Sequence, residues 1–394
     1  MVVVAVAALA LCLIMGARQT FGLFLQPITS DLGWGRETFA LSMAVQNLLW
    51  GLAQPFVGAV ADKYGSGRVL ALGTLGYAAG LYLMSLSTTA TAFHLSAGLL
   101  VGVTLSATTF AVILGAVGRA VPPERQSMAL GLASAGGSFG QFAMIPTGQA
   151  FITAYGWSTA LVILAALSLL VVPLAALLTG RAEGGAGLAG GGQSLRQALA
   201  EARRHSGFLY LTTGFFVCGF QVVFIGVHFP AYLTDNEITP QRAALALGLI
   251  GFFNIIGSLG CGALGARYSK KSVLTVRYLA RGVATLLFLV VPISDLSVLL
   301  YASVIGLLWL GTVPLTSGLV AQVFGPRYLT TLFGIVFFSH QLGAFLGVWL
   351  GGYLFDATGS YDIVWWLVVA LSLAAALLHW PIDERALPRL ATAG

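Results

Sequence analysis

Gly58-Ala-Val-Ala-Asp62-Lys63-Tyr64-Gly65-Ser-Gly-Arg68-Val-Leu70 is a short charged segment set between two long apolar ones. A weaker copy, Gly262-Ala-Leu-Gly-Ala266-Arg267-Tyr268-Ser-Lys270-Lys271-Ser-Val273-Leu274, follows without gaps at an offset of 204 residues (58 to 262). Gly, Ala, a basic residue, Tyr, Val and Leu recur in the same order. One half of the chain therefore reads as a repeat of the other, with this turn once in each half.

The apolar flanks are typical of the whole chain. Of 394 residues, 58% are hydrophobic and only 8% charged, with mean hydropathy +0.92. A soluble domain carries roughly a quarter charged residues. A water-soluble core cannot absorb so much apolar surface, and the chain reads as a polytopic membrane protein. The net charge of +6 does not mark a nucleic-acid binder, because the basic residues fall in loops, where they set orientation. Cys12, Cys218 and Cys261 lie in apolar stretches and imply no disulfide framework. No metal cluster, phosphate loop or nucleophile–base pair is legible, so neither a metal, a cofactor nor an enzyme activity is expected. The first segment has no basic leader and reads as a retained transmembrane helix, not a signal peptide.

A helix needs about 20 apolar residues to cross about 30 Å of hydrocarbon. Twelve segments fit: 2–28, 37–61, 69–88, 93–121, 126–153, 157–179, 207–233, 241–266, 272–292, 296–323, 328–354 and 361–381. The apolar runs do not alternate, which excludes a barrel. With the Asp62 loop inside the cell, most of the 19 Lys and Arg fall on the inner side, among them Lys63, Arg68, Arg119, Arg125, Arg267 and Arg385. That bias predicts two cytoplasmic termini in a plasma (inner) membrane protein. The expected organisation is an N-terminal six-helix bundle over 1–180, a cytoplasmic linker over 181–205, and a C-terminal six-helix bundle with its tail over 206–394. The linker is Gly-rich from Glu183 to Gly192. From Ser194 to Arg204 it has helical spacing, with Leu195, Ala198 and Leu199 opposite basic residues, and reads as a short helix on the membrane surface. The repeat continues through Gly102 and Gly306, and Pro122 and Pro326. Six spans return the chain to its starting side, so the repeats are parallel, with an axis along the membrane normal. The fold class is an all-α membrane protein.

Gly58-x-x-x-Asp62-Lys63-x-Gly65-x-x-Arg68 resembles the hinge motif of the major facilitator superfamily, with Gly67 at one usually basic position. Arg125-Gln-Ser-Met-Ala129-Leu-Gly131-Leu-Ala133-Ser-Ala135-Gly136 looks like the fifth-helix signature of the monocarboxylate transporter group, with Met128 for Leu. Thr20-Phe21-Gly22-Leu23-Phe24 looks like that group's first helix, and the oxalate/formate antiporters share this branch. The resemblance covers the whole chain. It implies twelve spans, a central cavity lined by span one, and alternating access between two bundles. It also places Asp62 near Arg119 and the start of span eleven, where the motif residues Gly58, Asp62, Lys63, Gly65, Arg68 and Arg119 would form a cytoplasmic gate. Asn254 stands where carboxylate carriers of this group have an acid. Ser258 stands where they have their substrate-binding Arg, so an anion-binding charge must come from elsewhere.

Ionisable groups at membrane depth are costly and mark function by default. Here they are Arg18, Arg277, Arg281, His228 and His340, with no acid in the central part of any span. Arg18, beside Gln19, falls near mid-depth, and its fork suits a substrate carboxylate. His340, flanked by Ser339 and Gln341, suits an anion or a proton, and His228 is a second proton-coupling candidate. Asn47, Gln141, Gln221 and Asn254 complete the expected polar site. Arg277 and Arg281 share one face of span nine, outside the implied cavity, and read as structural. Gly136 with Gly140, and Gly343, Gly347 and Gly351, fall every four residues and suit close helix contacts, either between moving halves or in static packing. Taken together, the residues predict a monomeric secondary transporter in membrane lipid. It would carry a small organic anion, a monocarboxylate foremost, in symport with protons or by exchange. An exporter of a neutral or amphipathic compound is the alternative.

Overall fold

The computed structural model describes residues 2–178, 194–325 and 328–388, without the side chains of Asp62, Arg119, Pro123, Glu124, Gln126, Ser127 and Thr330. All twelve expected segments fall on helix. In lipid every backbone N–H must be bonded within its own segment, and long apolar runs have no other solution. Span one is α1 (Val2–Gln19) and α2 (Phe21–Leu32), broken at Thr20; span two is α3 (Arg36–Tyr64); span three is α4 (Ser66–Ser85). Span four is assembled from α5 (Ala90–Phe93), a π-helical stretch over His94–Leu100, α6 (Val101–Thr108) and α7 (Phe110–Ala120). Spans five and six are α8 (Pro123–Leu169), two helices meeting at a kink at Gly156, with α9 (Val171–Ala175) after them. The linker helix α10 (Leu195–Arg204) opens on a capping box at Ser194 and buries Ala198 and Ala202, leaving Leu195 exposed. The Gly-rich part of the linker lies outside the described residues. Next come α11 (Ser206–Asp235), α12 (Pro240–Arg267) and α13 (Lys270–Val290). Span ten is split into α14 (Asp295–Leu308) and α15 (Thr312–Phe324), and α16 (Leu329–Thr358) and α17 (Asp362–His379) close the chain.

By length and apolarity alone, nine segments of the described residues qualify to cross a membrane, one of them covering both spans five and six. Helices α3 and α4 do not. The reason is visible in α3, whose interior positions include Ser42, Gln46 and Asn47. Several of their polar atoms are paired inside the protein: Ser42 Oγ lies 2.7 Å from His94 Nδ1, and Gln46 donates to the Ala97 carbonyl at 2.9 Å, although its own Oε1 is left without a partner. Polar groups paired this way escape the lipid penalty.

The turn that opened the sequence reading is tight. Gly65 ends α3 at φ 96°, ψ 136°, a conformation that favours glycine, and its N–H bonds to the Ala61 carbonyl. In the second copy Ser269 takes the equivalent place at φ −54°, and its hydroxyl caps α13 by accepting from the Ser272 N–H. The side chains of Asp62 and Arg119 lie outside the described residues, as does the latch expected between them. Lys63 and Arg68 are exposed and Gly58 stands in open space. The end carrying Gly65 is called the motif side, and the end carrying Arg36 the opposite side.

The glycine stripes pack inside the halves. Gly136 and Gly140 of α8 lie against the backbone of Ala8 and Cys12 in α1; Gly343 and Gly347 of α16 lie against Phe216 and Phe220 in α11. Both stripes pack helices within one half of the chain, where backbones approach too closely for any side chain. Between halves, close approaches include Gly22 of α2 against the backbone of Gly226 and Val227 in α11, and Gly352 of α16 against that of Arg36 and Glu37 in α3.

The halves meet unevenly along their length. On the opposite side Arg36 pairs with Asp235 at 2.6 Å, Gln26 donates to Asp235 at 2.7 Å, and Trp349 donates to Glu37 at 3.0 Å. Asp356 accepts the Arg36 and Glu37 backbone N–H groups at 2.9 and 2.8 Å. Nearer the middle, Asn254 donates to Ser138 at 3.0 Å and Gln341 to the Asn47 carbonyl at 3.1 Å. Beyond that level, toward the motif side, no hydrogen bond among the described residues joins the halves, and Phe56, Met128, Leu132 and Leu259 are exposed. Among the described residues, the hydrogen bonds that join the halves therefore lie on the Arg36 side and near the middle.

Candidate functional site

Arg18 occupies the last turn of α1, where the helix dipole favours a cation. Thr20 ends that helix by donating its hydroxyl to the Ala17 carbonyl at 2.7 Å. The Arg18 guanidinium donates to Asn47 Oδ1 at 2.6 Å and lies 5.1 Å over the Trp50 ring. Asn47 is fixed by its own amide, which donates to the Met43 carbonyl at 2.7 Å. The Asn47 backbone oxygen accepts from Gln341, whose Oε1 lies 3.1 Å from His340 Nδ1. Gln341 can reach so far because Gly51 leaves room for its side chain. The His340 ring stacks on Phe337 with centroids 5.7 Å apart, and Phe337 meets the edge of Trp50 at 6.3 Å. Arg18, Asn47, Gln341, His340, Phe337 and Trp50 thus form a closed circuit drawn from α1, α3 and α16, and it joins the two halves. Among the described residues no carboxylate pairs with Arg18, and its Nε has no hydrogen-bond partner. A cation held by an amide and an indole keeps donors free for an anionic guest.

Four expected site residues therefore come together: Arg18, Asn47, His340 and Gln341. Gln19 is half-buried beside them and enters no described hydrogen bond. Gln141 packs its side chain against Gly251 of α12 at the crossing of the halves. Gln221 turns the other way. Its amide donates to the Val368 carbonyl and to Ser372, and its oxygen accepts from Arg281 at 3.3 Å. His228 is buried on the Arg36 side, away from this circuit.

Asn254 and the paired arginines share a different task. Span ten breaks at Trp309–Gly311, and a broken helix leaves backbone groups without partners. Asn254 Oδ1 accepts the Leu310 N–H at 2.9 Å and the Ser258 hydroxyl at 3.2 Å. Arg277 donates to the Leu307 carbonyl at 3.0 Å; Arg281 donates to the Leu308 carbonyl at 2.6 Å and to that of Trp309. Both arginines also face thiols, Arg277 that of Cys261 and Arg281 that of Cys218. The structural reading of these arginines agrees with this geometry, whereas all the polar atoms of the Asn254 side chain are spent on protein groups. Sequence reasoning missed Trp50 and Phe337. The available signal was spacing: each lies three residues from a polar site residue, Asn47 or His340, on the same helix face.

Broken and kinked spans around a mid-depth polar circuit, in two halves closed at one end, define a polytopic helical transporter. The family model of the Major Facilitator Superfamily matches residues 7–345, and the chain belongs to that family. Among its relatives, monocarboxylate transporter 13 of Rattus norvegicus is 28% identical over 368 residues, covering 92% of this chain and 84% of the relative. The uncharacterised MFS-type transporter YcxA of Bacillus subtilis (strain 168) is 26% identical over 375 residues, covering 88% and 86%. Two solved structures share the fold. A bacterial homologue of the human lysosomal transporter Spinster has TM-score 0.78 at 14% identity, covering 98% of each chain. A mutant of the nucleoside transporter NupG has TM-score 0.78 at 14% identity, covering 97% of this chain and 100% of the other. The protein is an integral membrane transporter with a small-molecule substrate, and it is not an enzyme.

Proposed function

We propose that this transporter is a secondary active carrier of a small organic anion, a monocarboxylate foremost, working by alternating access. Two six-helix bundles, 1–180 and 206–394, rock about the circuit at Arg18. The observation that carries the reading is the Arg18 guanidinium, held beside Asn47 and Trp50 with no carboxylate paired to it among the described residues. Burying an uncompensated cation is costly, and a substrate carboxylate removes that cost with a bidentate hydrogen bond. The names of the monocarboxylate transporter relatives agree with such a cargo. Trp50 and Phe337 offer flat apolar walls to the rest of the substrate, and His340 and Gln341 offer polar contacts from the second half. The motif side faces the cytoplasm in this reading, so the hydrogen-bonded closure around Arg36 lies on the outer face.

Uptake into proteoliposomes tests the proposal. A labelled monocarboxylate should accumulate, its amide analogue should not, and Arg18→Gln should abolish accumulation while leaving the melting temperature near wild type. Transport of neutral or cationic amphipathic compounds without transport of acids would overturn the cargo and favour an exporter.

A further inference from the structure

We propose that His228 is a proton-binding site that controls closure on the Arg36 side, so that acid in the water on that side favours opening. The inference rests on the carrier reading above.

His228 sits in α11, and the structure buries it completely. Both ring nitrogens are engaged. Nε2 lies 2.8 Å from the Val348 carbonyl oxygen of α16, and Nδ1 lies 3.0 Å from the Tyr361 hydroxyl. A carbonyl only accepts, so Nε2 carries the hydrogen and Nδ1 presents its lone pair. Tyr361 therefore donates its O–H to Nδ1, which leaves its oxygen to accept from Arg36 Nη1 at 2.9 Å. Arg36 completes the wire with a two-pronged bond to Asp235, at 2.6 and 2.7 Å. Each assignment fixes the next, from the interior of α11 to the ion pair that joins the two halves. Gly351 provides the room: a Cβ there would lie against the His228 ring.

A second proton on His228 can enter only at Nδ1. It turns that atom from acceptor to donor and aims a new N–H at a phenol oxygen that already receives Arg36. The Tyr361 hydroxyl hydrogen then loses its present acceptor, and two cations share one oxygen. The charged and titratable groups around the ring give no relief. Arg36 and Glu37 of α3 are engaged with Asp235 and Trp349. Asp356 of α16 is bonded to the α3 N-terminus. Tyr232 and Asp235 lie on α11 itself, with Tyr361 and Asp362 at the start of α17. The strain is released when Arg36 withdraws from Tyr361, which is the first step of opening. Closure and a doubly protonated ring therefore exclude each other. A proton from water on the Arg36 side binds while that side is open and must return to that water before the side closes. His340 lacks this wiring, since its Nδ1 bonds to Gln341 and to no group of the closed end.

Pulsed spin-resonance distances between labels at Ser30 and Glu237, introduced through non-canonical amino acids in the full chain, read the opening directly. Both positions are exposed, on the Arg36 side of opposite halves. In wild-type protein, acidification through about pH 8 to 5 should increase the long-distance population. His228→Gln keeps a donor for Val348 and an acceptor for Tyr361 but cannot titrate, and it should lose the pH response while still responding to a monocarboxylate. Tyr361→Phe, which keeps the ring and cuts the wire, should lose the response as well. A wild-type pH response retained in either variant would assign the titration to the carboxylates and overturn the proposal. A wild type that moves with substrate but not with pH would overturn it and leave the carrier reading standing. A wild type that moves with neither would remove both.

Discussion

Removing the Asp356 carboxylate should open the Arg36 side without unfolding the protein. Asp356 belongs to α16, yet its two oxygens accept the first free N–H groups of α3, those of Arg36 and Glu37, at 2.9 and 2.8 Å. A side chain in this position acts as an N-cap supplied by the other half of the chain. Loss of an N-cap costs about 0.5–2 kcal/mol, and the attraction of a carboxylate to a helix N-terminus adds about 0.3–1 kcal/mol. In Asp356→Ala the closed arrangement should lose about 1–2 kcal/mol relative to the open one, a factor of about 5–30 in their ratio. The loss falls on closure because each half keeps its internal packing. The same Ser30–Glu237 distance measurement would show the long-distance population rising by that factor, at an unchanged melting temperature. Gly35→Ala should move the equilibrium the same way, since its Cβ would collide with the Asp356 carboxylate. An unchanged distance distribution in Asp356→Ala would refute the claim that this cap holds the halves together.

Further outcomes follow from the broken spans and the packed stripes. Asn254→Leu leaves the Leu310 N–H at the break of span ten without its acceptor, a loss of about 1–3 kcal/mol; the melting temperature in detergent should fall, and an unchanged value would remove Asn254 from this role. Gly347→Val should lower stability through the α11–α16 contact, seen as a lower melting temperature, whereas an effect on transport alone would restore the idea that the stripe serves motion between halves. His340→Gln should weaken substrate affinity in uptake assays while leaving the pH response of the outer distance intact, because His340 contacts Gln341 and Phe337 but none of the closing residues.

The helices were legible because apolar runs of spanning length in lipid admit few solutions, and the duplicated turn at Gly65 and Ser269 fixed the repeat. Arg18, Asn47, His340 and Gln341 were legible as polar residues at the middle of their spans, and they meet in space. What the sequence hid is which way a mid-span polar group faces. Gln221 and Asn254 sit at comparable depths, but their amides serve Arg281 and the break in span ten, and nothing in their local sequence marks that break as the acceptor. The glycine stripes were legible as close contacts, but their partner helices were not, because spacing gives a face and not its neighbour. The closing residues Asp235 and Asp356 were invisible for a related reason: their partner, Arg36, lies some 200 and 320 residues away in the chain.

The central claim is that Arg18 receives a carboxylate. Isothermal titration of purified protein with a small monocarboxylate tests it directly, with Arg18→Gln and the amide analogue of the acid as controls. Charge-assisted hydrogen bonds of about 1.5–3 kcal/mol predict affinity about 10–100-fold weaker in Arg18→Gln, and no measurable binding of the amide to wild type. Equal affinity of wild type and Arg18→Gln for the acid would contradict the account.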